Sequence, residues 1–293
     1  MQPFHSRPAR RHTALGVLFF AVITSLVTTA VVFAQTRPAT TPATSRPATK
    51  PEVETLDRDV RFCEVVAGAI EDAHGGRAWR LNGAVQTDLK VEMDGQTVID
   101  AFMVYEPHRN RVRLDLRDGT HLLHDGKKVW VWPASAKIDA RRHLAIWPYF
   151  LSAPFRFKER GLRLAEYRST PMLGPNHDTF KLTFKSGGED NPNERYVIYA
   201  DQRSHLLHVM GFTPRAAGPG QPAPESRAIV YSNYQNMGGV KLATSWAFYK
   251  WDEAHSIQGE PVGHAVLTNL QLAQPTDDAF TPPADAREVP PEH

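Results

Sequence analysis

The apolar positions of this chain fall into three regimes. Across residues 14–34 they are nearly continuous, interrupted by Thr24, Ser25, Thr28, Thr29 and one glycine. Across 52–73 they recur at spacings of four and three, with Leu56, Val60, Cys63, Ala67 and Ile70 on one stripe and Asp57, Arg61, Glu64 and Glu71 off it. That period predicts an amphipathic helix, stopped by Gly75-Gly76. From Trp79 onward the period falls to two. Val112, Leu114 and Leu116 alternate with Arg111, Arg113, Asp115 and Arg117, and Phe180, Leu182 and Phe184 alternate with Lys181, Thr183 and Lys185. Such segments read as strands with one face buried. Similar runs cover 78–85, 98–105, 120–124, 128–132, 163–167, 195–200, 206–212, 228–234, 240–251 and 262–272. Turn signals divide them: Asp94-Gly95, Asp118-Gly119, Asp125-Gly126, Gly187-Gly188 and Gly238-Gly239. The expectation is an α+β chain, mainly antiparallel β, whose sheet curls on itself or has its apolar face covered.

A cover is written into the sequence. Asp139 can cap a short helix over 140–147, and residues 148–157 are rich in aromatics, with Tyr149, Phe150, Leu151, Phe155 and Phe157. Pro148 and Pro154 predict that no single long helix runs through this stretch. It serves either as ordinary core plugging the sheet or as a lid that answers to a ligand, and spacing does not separate the two. Residues 213–227 read as a proline-rich surface loop.

Charge and composition sharpen the organisation. Residues 1–34 hold Arg7, Arg10 and Arg11 and no acid, so the remainder carries 34 − 3 = 31 basic side chains against 32 acidic ones. The basic excess belongs to the N-terminal segment, which reads as a signal peptide or an uncleaved signal anchor, the latter giving an inner-membrane tether through residues 14–34. The bulk of the chain is then expected outside the cytoplasm, in the periplasm or an equivalent compartment. Residues 35–51 read as a Thr/Pro/Ala-rich linker, and 52–293 as one folded domain. No basic field remains for nucleic acid. The single cysteine excludes a disulfide scaffold, and Cys63 lies on the helical stripe as a small buried hydrophobe.

Specific strings carry a family resemblance. Residues 104–116 read V-Y-E-P-H-R-N-R-V-R-L-D-L, followed by H-D-G-K-K-V-W-V-W-P at 124–133, and the chain finishes Asp277-Asp278-Ala279-Phe280-Thr281-Pro282-Pro283 after its last long strand. One helix, an antiparallel series broken by a short helical segment, and these strings together resemble the LolA/LolB-like periplasmic lipoprotein carriers. The resemblance implies an unclosed β-barrel with an N-terminal helix and a short helical lid, holding a lipid or the acyl chain of a lipoprotein in an apolar cavity. The position before the proline, where the carrier members have an arginine that helps hold the lid, is here Glu106.

Thirteen histidines include two H-L-L-H strings, 121–124 and 205–208. Residues three apart on a strand face opposite ways, so neither string chelates alone, although one histidine from each can meet across a sheet, with His143, His177 or His264 as a third ligand. No nucleophile elbow, phosphate loop or dinucleotide fingerprint occurs. No catalytic residue, metal ligand or cofactor is therefore assigned. The aromatics remain: Trp130 and Trp132 share one strand face, Trp246 and Phe248 share another, and Tyr249 and Trp251 lie opposite the latter pair. Trp130, Trp132, Trp147, Phe150 and Phe155 are the expected pocket and lid residues of a non-enzymatic binder of a lipophilic ligand or lipidated protein. Two rival readings stay open, an envelope-anchored interaction module with a filled core and a histidine-based metal-dependent hydrolase.

Overall fold

The helical stripe folds as expected into α1 (Lys50–Ala73). The structure, a computed structural model, describes residues 50–184, 195–213 and 225–291, with side chains from Arg58 onward. The export segment 1–34, nearly all of the linker, the Leu56 side chain, the Gly187-Gly188 turn and the centre of the proline-rich loop lie outside the described residues. Cys63, Ala67 and Ile70 are fully buried along α1. Burial, reinforced by Asp59, pushes the Cys63 thiol up to about 11, so it stays protonated and inert at neutral pH.

Gly75 ends the helix in the left-handed region at φ 83°. A Cβ there would overlap the carbonyl oxygen of Gly239, so this glycine lets the helix end touch a distant hairpin. A second helix, α2 (Gly76–Leu81), follows at once. The expected strand over 78–85 is therefore corrected: its first half is helical, because Trp79 N–H bonds back to the Gly75 carbonyl at 2.9 Å and the Trp79 side chain is buried.

The strands are β1 (Ala84–Met93), β2 (Gln96–Glu106), β3 (Arg111–Leu116), β4 (His121–Asp125) and β5 (Val129–Trp132). After α3 (Ala140–Ser152) come β6 (Leu162–Pro171), β7 (Asn176–Phe184), β8 (Arg195–Asp201) and β9 (Leu207–Thr213). The chain then adds β10 (Arg227–Met237), β11 (Val240–Asp252), β12 (Ser256–Ala273) and the short β13 (Arg287–Val289). All pair antiparallel in one sheet of order β13-β5-β4-β3-β2-β1-β12-β11-β10-β9-β8-β7-β6. The sheet is unclosed, with β13 and β6 as its edges. At the β6 edge a bulge between Ala165 and Arg168 would leave two amides bare, and Asp59 of α1 accepts from both, Glu166 N at 2.7 Å and Tyr167 N at 2.8 Å. An acidic side chain on the helix thereby blunts a strand edge.

One continuous core fills the inner face of the curled sheet, joining Val131 of β5 to Phe180 of β7 through α1 and α3. Trp246 and Phe248 point into it, while Trp251 belongs to a smaller cluster on the outer face with Tyr199 and Val209. The sequence period had paired these residues in that way. A third cluster, Val104, Leu123 and Phe280, lies on the outer face under the segment that follows β12.

Candidate functional site

The inner face and its mouth are built around α3. Asp139 caps the helix, its carboxylate accepting from Arg142 N at 3.0 Å. The helix then runs through Pro148 to Ser152 and passes directly into a 3-10 turn, Ala153–Phe155. The expected break at Pro148 is thus corrected. Pro148 lacks only one helix donor, and its buried ring and the neighbouring Leu144, Trp147 and Leu151 are held by packing, which outweighs the lost bond. The Pro148 carbonyl is itself taken by the Ser152 hydroxyl at 2.7 Å.

This helix and turn press a block of rings onto the sheet. Phe150 is 2% exposed, and its ring centroid lies 5.3 Å from that of Phe212, 6.4 Å from Trp246 and 6.5 Å from Phe248. Trp147 packs edge-on to Phe150 at 6.2 Å, and its indole N–H donates to His143 Nδ1 at 2.9 Å. Phe157 meets Phe180 edge-on at 5.8 Å. Phe155 stacks flat on Trp79 of α2, with centroids 4.3 Å apart and planes 6° from parallel. Edge-to-face and offset arrangements of this kind add to simple burial.

Of the five expected residues, the structure brings together Trp147, Phe150 and Phe155, all on the α3 segment. Trp130 and Trp132 lie on the other side of the sheet, because Val129 and Val131 take the inward positions of β5. Trp130 donates to Asp125 Oδ2 at 2.8 Å, and Trp132 stacks on His121 at 5.0 Å. Both pack beside Phe280.

Behind the Phe155–Trp79 stack sits His74, which the sequence did not single out. Its ring is fully buried. Nδ1–H donates to the Lys241 carbonyl at 2.7 Å, and Nε2 accepts from Leu207 N at 3.0 Å. In return Lys241 N donates to the His74 carbonyl at 2.9 Å. Burial pulls the imidazole pKa down to about 4, as expected for a neutral ring whose two nitrogens have opposite roles. No motif could have announced it, since its partners are backbone groups 133 and 167 residues away.

Two clefts open at this end of the barrel, on either side of the turn that follows β2. The smaller, about 270 Å³, is lined by Trp79, Tyr105, Pro107, Asn110, Ser152, Phe155, Arg156 and Glu159. Arg156 crosses its floor, paired with Glu159 at 3.0 Å and lying over the Tyr149 ring at 4.8 Å. The larger, about 470 Å³, is lined by Leu81, Gly83, Glu106, Arg109, Gln274, Pro275, Thr276 and Asp277. Glu106 pairs with Arg111, which also bonds Asp277 at 2.9 Å and lies 4.3 Å from the Phe280 ring centroid. Arg111 and then Arg109 hold the Asp277 carboxyl below its usual range. At the position where the resemblance implied an arginine reaching for a lid, the acidic side chain instead pairs with Arg111, which in turn holds Asp277 of the segment after β12.

The two H-L-L-H strings do not meet. In the sheet, β3, β2, β1, β12, β11 and β10 separate β4 from β9. His121 pairs with Asp115 at 2.6 Å and His124 with the Asn110 carbonyl at 2.7 Å. Among the described residues no three His, Cys, Asp or Glu side chains converge as a metal cage.

No protein-family model and no curated protein matches the chain. Solved structures do. A putative outer membrane lipoprotein-sorting protein domain from Vibrio parahaemolyticus aligns over 75% of this chain and 97% of its own, at 13% identity and a TM-score of 0.47. A LolA superfamily protein from Nitrosomonas europaea aligns over 75% of this chain and 97% of its own, at 11% identity and a TM-score of 0.50. The unclosed antiparallel sheet with helices against its inner face is the LolA-like fold, and this chain shares that fold with the LolA superfamily protein.

Proposed function

We propose that the protein is a non-enzymatic binding protein of the cell envelope that takes an apolar ligand, a lipid or the acyl chain of a lipidated protein, between the α3 segment and the inner face of the sheet. The observation that carries this reading is the way the segment is held. Phe150 and Phe157 meet the sheet through ring contacts, Trp147 packs edge-on against Phe150, and the Tyr231 hydroxyl donates to the Phe150 carbonyl at 3.2 Å. An acyl chain can replace the apolar burial that these rings provide against the same wall, at the cost of the single Tyr231–Phe150 hydrogen bond. A surface held by strand pairing would not yield in this way. The LolA-like fold is in keeping with such cargo, which the sequence resemblance implies. Location outside the cytoplasm rests on the sequence of residues 1–34, which serve as a cleaved signal or as an inner-membrane tether, with 35–51 as spacer.

A second reading has its own support. The inner face is filled by the protein's own side chains, Trp246 and Phe180 among them, and the clefts at the mouth carry charged groups. Those facts favour an envelope interaction module that works through its rim. The histidine-based hydrolase has no such support, since its strings lie apart. Organic extraction of the protein purified from an envelope fraction, followed by mass spectrometry, separates the two surviving readings. The carrier reading expects a lipid at near one per protein and uptake of a fluorescent fatty acid by the delipidated chain. No lipid and no uptake would leave the interaction module.

A further inference from the structure

On the outer face, away from the helices, two histidines share one point. His177 of β7 is fully buried, and its Nδ1–H donates to the Pro175 carbonyl at 3.0 Å. That carbonyl also receives Met172 N at 2.9 Å, so it is fixed in the turn between β6 and β7. The tautomer of His177 is thereby set, and Nε2 presents a lone pair. Directed at it, 2.7 Å away, is Nδ1 of His208 on β9, with ring centroids 4.9 Å apart and planes 23° from parallel, so that the two rings meet end to end, nitrogen facing nitrogen. His208 sits where the register between β8 and β9 slips, between the pairs Tyr199–Val209 and Ala200–Leu207, and the slip turns its ring towards β7. Asp201 is the cross-strand partner of His177. It adds negative charge beside the pair while its Oδ1 caps the β8–β9 turn through Ser204 N at 2.7 Å.

Two ring nitrogens this close need something positive between them. In the metal-free protein it is the proton on His208 Nδ1. We propose that His177 Nε2 and His208 Nδ1 form a two-histidine site for a borderline divalent cation, Cu(II) or Zn(II), completed by water. A ligating histidine characteristically donates its other N–H to a backbone carbonyl or carboxylate, and His177 already does so. On binding, the proton of His208 moves from Nδ1 to Nε2, so the ring stays neutral and no further acid or base is required. With the two nitrogens facing each other, the N···N distance opens by about 1.3 Å to place the cation between them at roughly 2.0 Å from each, in the trans positions of a tetragonal site, a movement His208 can make because it is only partly buried. Imidazole donors and the order of first-row affinities place Cu(II) ahead of Zn(II).

The test is titration of the full chain with CuCl2 or ZnCl2, followed by calorimetry and, for copper, electron paramagnetic resonance. His208→Gln is the informative variant, since it leaves the buried ring and its carbonyl bond intact. His255→Gln, which removes the exposed His255–Asp252 pair at 3.0 Å, is the control. The proposal expects one equivalent bound with micromolar affinity, nitrogen hyperfine structure from two imidazoles, and at least a tenfold loss of affinity in His208→Gln with none in His255→Gln. No binding by the wild-type chain, equal binding by His208→Gln, or equal loss in both variants overturns it.

Discussion

His74 ties three parts of the chain together with one ring, and its chemistry makes the tie pH-dependent. The imidazole must be neutral, because protonation would turn Nε2 from acceptor into donor opposite the Leu207 amide. With a folded pKa near 4 against the usual 6.5, its contribution is complete above about pH 6.5. It declines as the pH falls from there through 4, and amounts to about 3 kcal/mol at the extremes. Urea unfolding of the wild type and His74→Gln at pH 7.5 and 4.5 checks this. The variant should be less stable at pH 7.5 and lose less on acidification; equal losses would show that His74 is not the group responsible. Neither His74 nor the reason for Gly75 was legible in the sequence. Gly75-Gly76 did mark the helix end, but the close approach of Gly75 to the Gly238–Gly239 hairpin is a tertiary fact that no local pattern carries. Cys63 is the opposite case, since its place on the helical stripe already implied the burial observed.

Elements were legible where local rules and packing agree. The β1–β2 hairpin was announced by Asp94-Gly95, both of which adopt positive φ, 50° and 75°, as a tight two-residue turn demands. The helix α2 was not, because its six residues are too few to show a period and tertiary stacking of Trp79 on Phe155 decides its fate. In the α3 segment burial overrides the break that Pro148 predicts, while the α-helix gives way to a 3-10 turn at Ala153–Phe155, which holds Pro154. Strand parity correctly put Trp130 and Trp132 on one face but could not say which, because a period of two is the same for inner and outer walls. Their outward position makes the segment after β12 the element that covers them. Phe280 is 4% exposed against Val104 and Leu123, and Arg113 donates to the Ala279 carbonyl at 3.2 Å. Phe280→Ala should therefore cost about 3 kcal/mol and shift tryptophan emission to the red as Trp130 and Trp132 meet water. A variant with unchanged emission and stability would show that the segment does not seal this face.

For the molecule as a whole, the sheet behaves as two walls with separate tasks. The outer wall carries small clusters, the C-terminal strap and the histidine pair. The inner wall meets a ring-rich insert that is capped at Asp139 and packed onto the sheet by Phe150 and Phe157, with the Tyr231 hydroxyl bonded to its Phe150 carbonyl. A carrier with this layout admits its ligand by exchanging the insert's rings for an acyl chain, so the ligand must come into contact with Trp147 and remain remote from Trp130 and Trp132. Titration with a brominated fatty acid, whose bromines quench indoles on contact, tests that claim most directly. We expect saturable quenching in the wild type that falls in Trp147→Phe, falls further when Trp246→Phe is added on the same wall, and is unaffected in Trp130→Phe. Absence of quenching, or quenching that survives Trp147→Phe and disappears with Trp130→Phe, would contradict it.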